Sequence, residues 1–461
     1  MLERASVVGL GKLGACLAAC LAHKGFKVMG VDANERVIQA INSGEAPVVE
    51  PGLPAMIAAN RDRLSATLDY YAAIHESDVT FVVVPTPSEP DGTFSLRFVN
   101  DAGRRIGKAL AAKSGYHLVV LTSTVLPGST EVSLLPLLEQ ESGKRCGPDF
   151  GLCYNPEFIA LGEVIHGMLE PELVLIGESD SRAGDLLEEL YRCLLDSHPG
   201  FSRMSFVNAE LAKISINTYV TMKITFANVL ADLCERIPGG DVDAVTKALG
   251  TDSRIGSRYL RGGLGFGGPC FPRDTVAFSS FARQLGGYGG LADVIGAFNN
   301  QVAGRVVGIV KAHLPQNGEV SVLGLAYKPG TPVVEHSQGV EIAVALADAG
   351  VPVKVYDPIA EEMARKILGS RVRYAGSAIE AIIGTDVLVL ANALPELRNL
   401  VPALAAPGQK PLVVIDCWRI LPELARRPNV SYIGLGKGPM QGQPLSRGME
   451  VSPQVRICES S

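Results

Sequence analysis

The feature that most constrains this chain is a glycine pattern near its beginning. Gly9, Gly11 and Gly14 follow a short apolar stretch, 5–10, and precede a stretch with helical apolar spacing, 13–23. Between a strand and a helix, the first glycine allows a tight turn, the second lets the backbone approach a pyrophosphate, and the third lets helix and strand pack closely. The pattern predicts a βαβ unit that binds a dinucleotide, although an ordinary strand-to-helix turn could carry the same glycines.

An acidic residue ends the next predicted strand and refines this prediction. Asp32 lies eighteen residues after Gly14, where a carboxylate can accept hydrogen bonds from the adenosine ribose. The same acid would repel a 2′-phosphate, which favours NAD over NADP. The following helix would direct its N-terminal amides at the phosphates. We therefore expect NAD as the cofactor, bound by Gly9, Gly11, Lys12, Leu13, Gly14 and Asp32.

The alternation of strands and helices defines the fold class. It covers roughly the first two hundred residues, gives way to a long helical pattern over 205–235, and returns after residue 315. The segment Ser321–Leu325 echoes Ser6–Leu10, but lacks the later glycines and so need not bind a dinucleotide. We predict an α/β chain with two Rossmann-like doubly wound domains, joined by a long central helix and a helical middle domain. The predicted parts are an NAD domain at 1–203, the middle domain at 204–314, a second Rossmann-like domain at 315–440 and a disordered tail at 441–461.

Composition excludes several classes of function. The net charge of −6 gives no electrostatic case for nucleic-acid binding. No apolar run reaches the roughly eighteen residues of a membrane span. The nine cysteines form no Cys-x-x-Cys pair and the histidines are scattered, so no metal site is predicted. The odd number of thiols indicates a reducing compartment, and we expect a cytoplasmic enzyme.

A glycine-rich loop ending in a cysteine is the most informative stretch for chemistry. Five of the seven residues from 262 to 268 are glycine, and Cys270, Arg273 and Asp274 follow. Such a loop could let backbone amides crowd a ligand, and the Arg273 charge would favour the Cys270 thiolate. Asp274 could position a water or accept a proton. A structural loop with a buried cysteine explains the same residues equally well.

Two further groups carry candidate polar side chains. Lys213 and Asn217 lie four residues apart on the long predicted helix, so both project from one face and could stabilise an oxyanion. A solvated lysine beside a packing asparagine is the simpler interpretation of that spacing. Glu157 follows a predicted strand, where it could act as a general base or cap the next segment.

The ends of two other predicted strands carry hydroxyl groups. Pro85 and Thr86 follow one strand, and Ser123 and Thr124 follow another. Ligands of doubly wound sheets bind at this edge, so these residues are expected to lie along the cofactor. An ordinary loop start is the alternative.

Taken in order, these residues resemble the UDP-glucose and GDP-mannose dehydrogenase family over nearly the whole chain. The resemblance rests on seven segments: 9–14, 84–87, 123–125, 155–158, Lys213 with Asn217, 265–274 and 324–328. It implies an NAD domain and a nucleotide-sugar domain flanking a long helix that pairs in a homodimer. Apolar residues around most of that helix agree with partial burial against a second subunit.

The resemblance also implies a reaction, best matched by UDP-glucose oxidation to UDP-glucuronate. Two hydride transfers to NAD would oxidise the primary alcohol, with Cys270 capturing the aldehyde and carrying the resulting thioester. Lys213 and Asn217 would hold the oxyanion, Asp274 and Thr124 would organise water and proton transfer, and Glu157 would act as base for hydrolysis. The residues implied to line the nucleotide sugar are Phe158, Ile159, Leu161, Lys213, Asn217, Arg254, Tyr259, Arg261, Gly265, Phe266, Gly267, Tyr327 and Lys328.

The chain departs from the family pattern at positions that bear on the substrate. Leu161 replaces a common acid, and Glu335 stands where the family often has an arginine that helps hold the cofactor. Pro269 replaces a common serine, and Arg419 is shifted by one place. GDP-mannose, dTDP-glucose and UDP-N-acetylated sugars such as UDP-N-acetylmannosamine therefore remain open as substrates.

Three other functions compete with this prediction. A two-electron dehydrogenase of the hydroxyacid or 6-phosphogluconate type would share the NAD domain but have no use for Cys270. A short-chain epimerase would use Tyr219 and Lys223 as a Tyr-x-x-x-Lys pair, although its glycine pattern differs. A non-catalytic nucleotide-binding sensor with a redox thiol would not turn over any nucleotide sugar.

Overall fold

The computed structural model describes residues 2–404 and 410–439, and the tail predicted at 441–461 lies outside them. The chain divides into two compact units, one of residues up to 216 with 280–287 and one of 217–279 with the residues from 288 onward. Each unit contains its own mostly parallel sheet flanked by helices. The predicted fold class is confirmed: two Rossmann-like α/β parts and a helical middle region.

The first unit is built on an eight-stranded sheet in the order β3-β2-β1-β4-β5-β6-β7-β8. All neighbouring strands are parallel except β6 and β7, which are antiparallel. The continuous apolar runs that predicted buried parallel strands are buried on both faces, as in β5, whose five residues are all buried. The strands are β1 Arg4–Val8, β2 Lys27–Val31, β3 Leu64–Thr67, β4 Val79–Val82, β5 His117–Leu121, β6 Phe150–Tyr154, β7 Leu173–Glu178 and β8 Gly200–Met204.

Helices cover both faces of this sheet and enclose two hydrophobic clusters. The first helix is almost wholly buried because small residues and two buried cysteines, Cys16 and Cys20, fill its faces. Side-chain caps fix the starts of other helices: Asn34, Asp69 and Asp180 each accept a backbone N–H of the first turn. The helices are α1 Lys12–His23, α2 Glu35–Ser43, α3 Leu53–Ala59, α4 Tyr70–His75, α5 Arg97–Ala112, α6 Leu135–Ser142, α7 Val164–Leu169 and α8 Ser181–Leu194.

The middle of the chain is helical. The helix predicted over 205–235 is α9 Phe206–Glu235, thirty residues with no internal proline or glycine to interrupt it. It is followed by α10 Val242–Thr251, α11 Phe271–Gln284 and α12 Gly290–His313.

The second unit contains a six-stranded, all-parallel sheet in the order β11-β10-β9-β12-β13-β14. This is the strand order of a doubly wound dinucleotide-binding fold, with β9 taking the place of the first strand. The strands are β9 Val320–Leu323, β10 Val353–Tyr356, β11 Arg373–Tyr374, β12 Val387–Leu390, β13 Leu412–Asp416 and β14 Val430–Gly434. The helices around them are α13 Gln338–Asp348, α14 Glu361–Leu368, α15 Ala378–Ile382 and α16 Leu400–Leu404.

The echo between the two Rossmann-like parts extends to individual hydrogen bonds. Gly9 N donates to Val31 O at 2.7 Å, and Gly324 N donates to Tyr356 O at 2.9 Å. Both glycines have a positive φ, 92° and 101°, in the region that favours glycine. The two turns therefore share one backbone design.

The second copy differs from the sequence prediction in two respects. Its helix does not follow the turn directly, because α13 begins only at Gln338 after an inserted segment. A counterpart of the third glycine is present after all: a Cβ on Gly339 would lie 2.1 Å from Gly324 O, as one on Gly14 would lie 1.8 Å from Gly9 O. The insertion displaced this glycine in the sequence and hid it from the spacing.

Candidate active site

The glycine turn of the first unit fits a dinucleotide pyrophosphate. A Cβ on Gly9 would lie 2.3 Å from Val83 O, so close packing requires glycine there as it does at Gly14. A Cβ on Gly11, by contrast, would meet nothing within 4 Å. Gly11 immediately precedes α1, whose first turn contains exposed Lys12 and partly buried Leu13. The open space above the helix N-terminus is where backbone amides can receive a phosphate.

The Asp32 carboxylate at the end of β2 is oriented by two backbone amides. Leu10 N and Asn34 N each donate to one oxygen of Asp32, at 2.8 Å in both cases. The carboxylate is partly exposed. One amide on each oxygen leaves lone pairs that can accept ribose hydroxyls.

The two predicted strand ends meet at the carboxyl edge of the sheet. Thr86 Oγ1 donates to Thr124 O at 2.7 Å. Ser123 Oγ donates to Val84 O at 2.7 Å and accepts from Val84 N at 2.9 Å. Thr86 and Ser123 are therefore buried and link the segments that follow β4 and β5 by hydrogen bonds. Pro85 is exposed and Thr124 is partly exposed.

Glu157 follows β6 in a partly buried position with an unusual protonation equilibrium. Burial raises the pKa of its carboxyl group to about 7, against the opposing effects of the Tyr191 hydroxyl and the Lys213 charge. Tyr191 Oη lies 3.2 Å from Glu157 Oε1, and Lys213 Nζ donates to Glu157 O at 2.6 Å. The Lys213 ammonium also lies 4.5 Å from the centre of the Phe158 ring, a cation–π contact. A carboxyl group that titrates near neutrality suits general acid–base chemistry.

The residues after Phe158 belong partly to the core of the first unit. Ile159 and Leu161 are partly buried and pack against its first hydrophobic cluster. The turn is fixed by Glu50, which accepts from Gly162 N at 3.0 Å and from Val164 N at 2.9 Å. Glu50 was not singled out from the sequence, and its distance along the chain from this turn left no local signal.

In the second unit, the glycines of the cysteine loop serve close packing within the protein. A Cβ on any of them would lie within 3 Å of a protein atom. The nearest atoms belong to Ala227 for Gly262, Trp418 for Gly263, Asn299 for Gly265, His336 for Gly267 and Tyr327 for Gly268. Neighbouring side chains and carbonyls therefore occupy the space that a Cβ would need at each of these positions, which accounts for the glycines on packing grounds. Asn299 further pins the loop through reciprocal bonds with the Phe266 backbone at 2.8 and 2.9 Å.

Cys270 is exposed and immediately precedes α11, contrary to the alternative of a buried structural cysteine. A thiol at a helix N-terminus experiences the positive end of the helix dipole, which favours the thiolate. One turn into the helix, Asp274 is buried and accepts from Asn217 Nδ2 at 2.6 Å and from the Arg273 guanidinium at 3.0 Å. The cysteine and a doubly held carboxylate therefore occupy the same helical turn.

Several residues implied to line a nucleotide sugar gather around this loop. Tyr327 packs against Gly268, and Arg261 donates to Trp418 O at 2.7 Å with its guanidinium 5.6 Å from the Trp418 ring centre. The Phe271 ring stacks edge-on with both Tyr259 and Phe266. Lys328 is partly buried beside Tyr327.

Two predicted residues stand apart from this group. Arg254 is exposed and pairs with Asp252, two residues away, at 2.6 Å. Lys223, half of the possible epimerase pair, donates to the carbonyls of Ile255 and Gly256 at 3.0 and 3.1 Å. Its ammonium is thus held by backbone, and Tyr219 is exposed.

A buried arginine anchors the base of the loop. Arg419 forms a two-pronged ion pair with Asp243, at 2.7 and 2.9 Å, and donates to Gly262 O at 2.7 Å and Leu435 O at 2.6 Å. Its side chain is only 4% exposed. The sequence showed an arginine shifted by one place, but gave no sign of a partner 176 residues away.

The same segments belong to a recognised family. Three profiles of the UDP-glucose/GDP-mannose dehydrogenase family match: its NAD binding domain at residues 3–195, its central domain at 207–301 and its UDP binding domain at 321–423. The chain therefore belongs to the UDP-glucose/GDP-mannose dehydrogenase family, a family of NAD-dependent nucleotide-sugar dehydrogenases. The predicted NAD cofactor is confirmed.

Individual relatives differ in the sugar nucleotide that their names specify. UDP-glucose 6-dehydrogenase AglM of Haloferax volcanii is 36% identical over 93% of this chain and 99% of its own length. GDP-mannose 6-dehydrogenase of Pseudomonas aeruginosa is 36% identical over 84% and 91%. The structure of a UDP-glucose dehydrogenase from Pyrobaculum islandicum, at 33% identity, covers 95% of this chain and 98% of its own, with a TM-score of 0.84.

Residues 2–404 and 410–439 contain neither a cluster of metal ligands nor a helix suited to a bilayer. Within them no group of three or more His, Cys, Asp or Glu side chains could hold a metal ion. In the same residues no helix combines the length and apolar character required to cross a bilayer.

Proposed function

We propose that this chain oxidises the C6 primary alcohol of a nucleotide sugar to a carboxylate in two NAD-dependent steps, through a thioester on Cys270. The observation that carries the proposal is the exposed cysteine at the N-terminus of α11, one turn before the buried Asp274. NAD, bound at the first glycine turn, accepts the hydrides. A two-electron dehydrogenase transfers a single hydride and needs no cysteine nucleophile.

The remaining roles are assigned from the family resemblance, and the chemistry of the side chains suits them. Lys213 and Asn217 supply N–H donors to the oxyanion, and Asp274 and Thr124 organise water and proton transfer. Glu157 takes the proton of the water that attacks the thioester, since its pKa of about 7 lets it accept a proton near neutral pH. The C–S bond then breaks and Cys270 leaves as a thiolate.

UDP-glucose is the proposed substrate, with UDP-glucuronate as product. Supporting it, relatives of 36% and 33% identity, each covering more than nine-tenths of this chain, are named as UDP-glucose dehydrogenases. A GDP-mannose 6-dehydrogenase is equally similar over a shorter part of the chain. The identity of the base and of the sugar is therefore the part of the proposal that the substrate comparison below has to test.

The deciding experiment measures NADH formed per nucleotide sugar consumed. UDP-glucose, GDP-mannose, UDP-N-acetylmannosamine and dTDP-glucose are each incubated with the purified chain and excess NAD, and NADH is followed by absorbance. We expect two NADH per UDP-glucose and the highest kcat/KM for that sugar. One NADH per sugar would favour a two-electron dehydrogenase, and no NADH from any of the four would contradict the proposal.

We also propose that the chain forms a homodimer through α9. Tyr219, Phe226 and Leu233 recur every seven residues on this helix and are 55%, 52% and 49% exposed. Such a repeat places the three side chains on one stripe, and contiguous exposed apolar surface is typical of an interface.

The eight described cysteines form no disulfide, which supports a reducing compartment such as the cytoplasm.

Phe226→Glu is expected to convert the dimer to a monomer at micromolar concentration, because a carboxylate cannot be buried in an apolar interface without a partner. Sedimentation equilibrium measures the change. Phe98→Glu is the matched control, since Phe98 is 40% exposed on α5, outside the stripe. A wild-type monomer, or a dimer unaffected by Phe226→Glu, would refute this assignment of the interface.

A further inference from the structure

Glu157 belongs to a small buried network whose hydrogen bonds can be assigned proton by proton. Asn155 Nδ2 donates to Leu175 O at 2.9 Å. A carbonyl can only accept, so the amide is oriented with Oδ1 toward Tyr191. The Tyr191 hydroxyl lies within hydrogen-bond distance of Asn155 Oδ1 and also of Glu157 Oε1, 3.2 Å away. One phenol thus faces two acceptors.

A phenol carries a single proton, so Tyr191 can donate to only one of them at a time. If it donates to Asn155, its oxygen can form a hydrogen bond with Glu157 only by accepting, which requires Glu157 to be a neutral carboxylic acid. If Glu157 is ionised, Tyr191 must turn its proton to the carboxylate, and Asn155 Oδ1 loses its donor. Each protonation state of Glu157 therefore requires its own arrangement of the Tyr191 hydroxyl.

Two titratable groups that interact with Glu157, Cys20 and Tyr191, keep one charge state while it titrates. Lys213 Nζ donates to Glu157 O at 2.6 Å, and its charge favours the carboxylate. On α1, burial raises the pKa of the Cys20 thiol to about 12, and the Glu157 charge adds to this effect, so Cys20 stays neutral. The Tyr191 phenol also stays neutral because burial raises its pKa well above the ordinary value. The proton shared by Glu157 and Tyr191 is the variable one.

We propose that Tyr191 and Asn155 are positioning residues that set the protonation state of Glu157, Asn155 by competing with the carboxylate for the single Tyr191 proton. The inference rests on the proposed role of Glu157 as base in thioester hydrolysis. Asn155 favours the acid form and Tyr191 stabilises the carboxylate once it forms. Together they keep Glu157 able to accept a proton from water and to release it again.

This competition predicts opposite effects for two conservative variants. Tyr191→Phe removes the hydroxyl that donates to the ionised Glu157 carboxylate, so the rising limb of the hydrolysis pH profile should move up by about one pH unit. Asn155→Leu removes the competing acceptor and frees the Tyr191 proton for Glu157, so the same limb should move down by about one pH unit. A purely structural role would slow both variants without opposite shifts.

The hydrolysis step is measured in single turnovers with UDP-glucose, by quenching and assaying the thioester between pH 5 and 9. Hydroxylamine, which cleaves thioesters without a general base, is added in a parallel series and should release hydroxamate equally from both variants and the wild type. Tyr116→Phe is the control, because the buried Tyr116 hydroxyl has no hydrogen-bond partner among the described residues. Asn155→Ala replaces Asn155→Leu if the latter does not fold.

An infrared titration of the unliganded protein supplies a readout that does not depend on turnover. The pH-dependent band of a protonated carboxylic acid that is absent in Glu157→Gln should titrate higher in Tyr191→Phe and lower in Asn155→Leu. Absence of hydroxamate from the wild type would refute the proposed function, and the infrared result would then decide whether Asn155 and Glu157 compete for the Tyr191 proton. Shifts in the same direction, or none, in both measurements would overturn this competition.

Discussion

Replacing Cys270 by serine is expected to abolish the four-electron reaction while leaving the fold intact. The cysteine is exposed and serine nearly matches its size, so the protein should unfold at the same temperature as the wild type. A serine hydroxyl at that position stays protonated near neutral pH and captures an aldehyde poorly, whereas a thiol at a helix N-terminus is readily ionised. We expect complete turnover to fall by at least roughly a thousandfold.

The measurement combines NADH absorbance with direct assay of the uronic acid product. Cys193→Ser is the matched control, because Cys193 is also exposed but lies on α8 of the first unit and has no proposed role in the reaction. It should retain the wild-type rate. A Cys270→Ser variant that still makes two NADH per sugar at an undiminished rate would eliminate the covalent thioester.

The largest loss of stability is expected from Arg419→Met. Methionine fills similar space but removes both contacts to Asp243 and the donors to Gly262 O and Leu435 O. The Gly262 and Leu435 carbonyls would lose their donor, which costs about 1–3 kcal/mol for a buried acceptor, whereas Asp243 is 43% exposed and keeps Lys437 at 3.1 Å. We expect the free energy of unfolding of the second unit to fall by that amount.

The chain contains a single tryptophan, Trp418, immediately before Arg419, so its fluorescence reports the unfolding of this unit in denaturant. Arg254→Met is the control: Arg254 also pairs with an acid, but its side chain is 87% exposed and the pair is screened by water, so the unfolding midpoint should stay near that of the wild type. Equal losses for the two variants would show that the Arg419 network does not hold the unit together. Arg419→Lys, which keeps the charge but not the fork of donors, should fall between them.

Much of the fold could be predicted because its signals are local. The glycine turn, the continuous apolar strands and the uninterrupted helix of 205–235 each lie within a short stretch of chain, and all three are observed. The insertion before α13 could not be predicted, since nothing in its own residues shows that a strand-to-helix turn has been opened. Gly339 went unrecognised for the same reason, as its partner in the turn, Gly324, lies fifteen residues earlier.

The residues of the candidate site also differ in whether a local sequence signal marks them. Residues at the ends of strands and the start of a helix, such as Ser123 and Cys270, could be singled out because parallel sheets and helix termini place them predictably. Tyr191, Glu50 and Arg419 could not, since each acts on residues more than thirty positions away. The excess of glycines in the cysteine loop is visible in the sequence, but the atoms that exclude a Cβ belong to residues distant along the chain, such as Asn299 and His336.

The repeated turn has a consequence for how the two Rossmann-like parts can be occupied. Asp357, the counterpart of Asp32, is buried and accepts four backbone amides, from Leu325, Ala326, Ile359 and Ala360. Its lone pairs are saturated by its own loop, whereas Asp32 accepts only one amide on each oxygen. The same turn thus occurs twice, with a carboxylate that keeps acceptor capacity at Asp32 and one that is filled by backbone amides at Asp357. We therefore expect a dinucleotide to bind at the first turn, because the second turn offers its ribose no free acceptor.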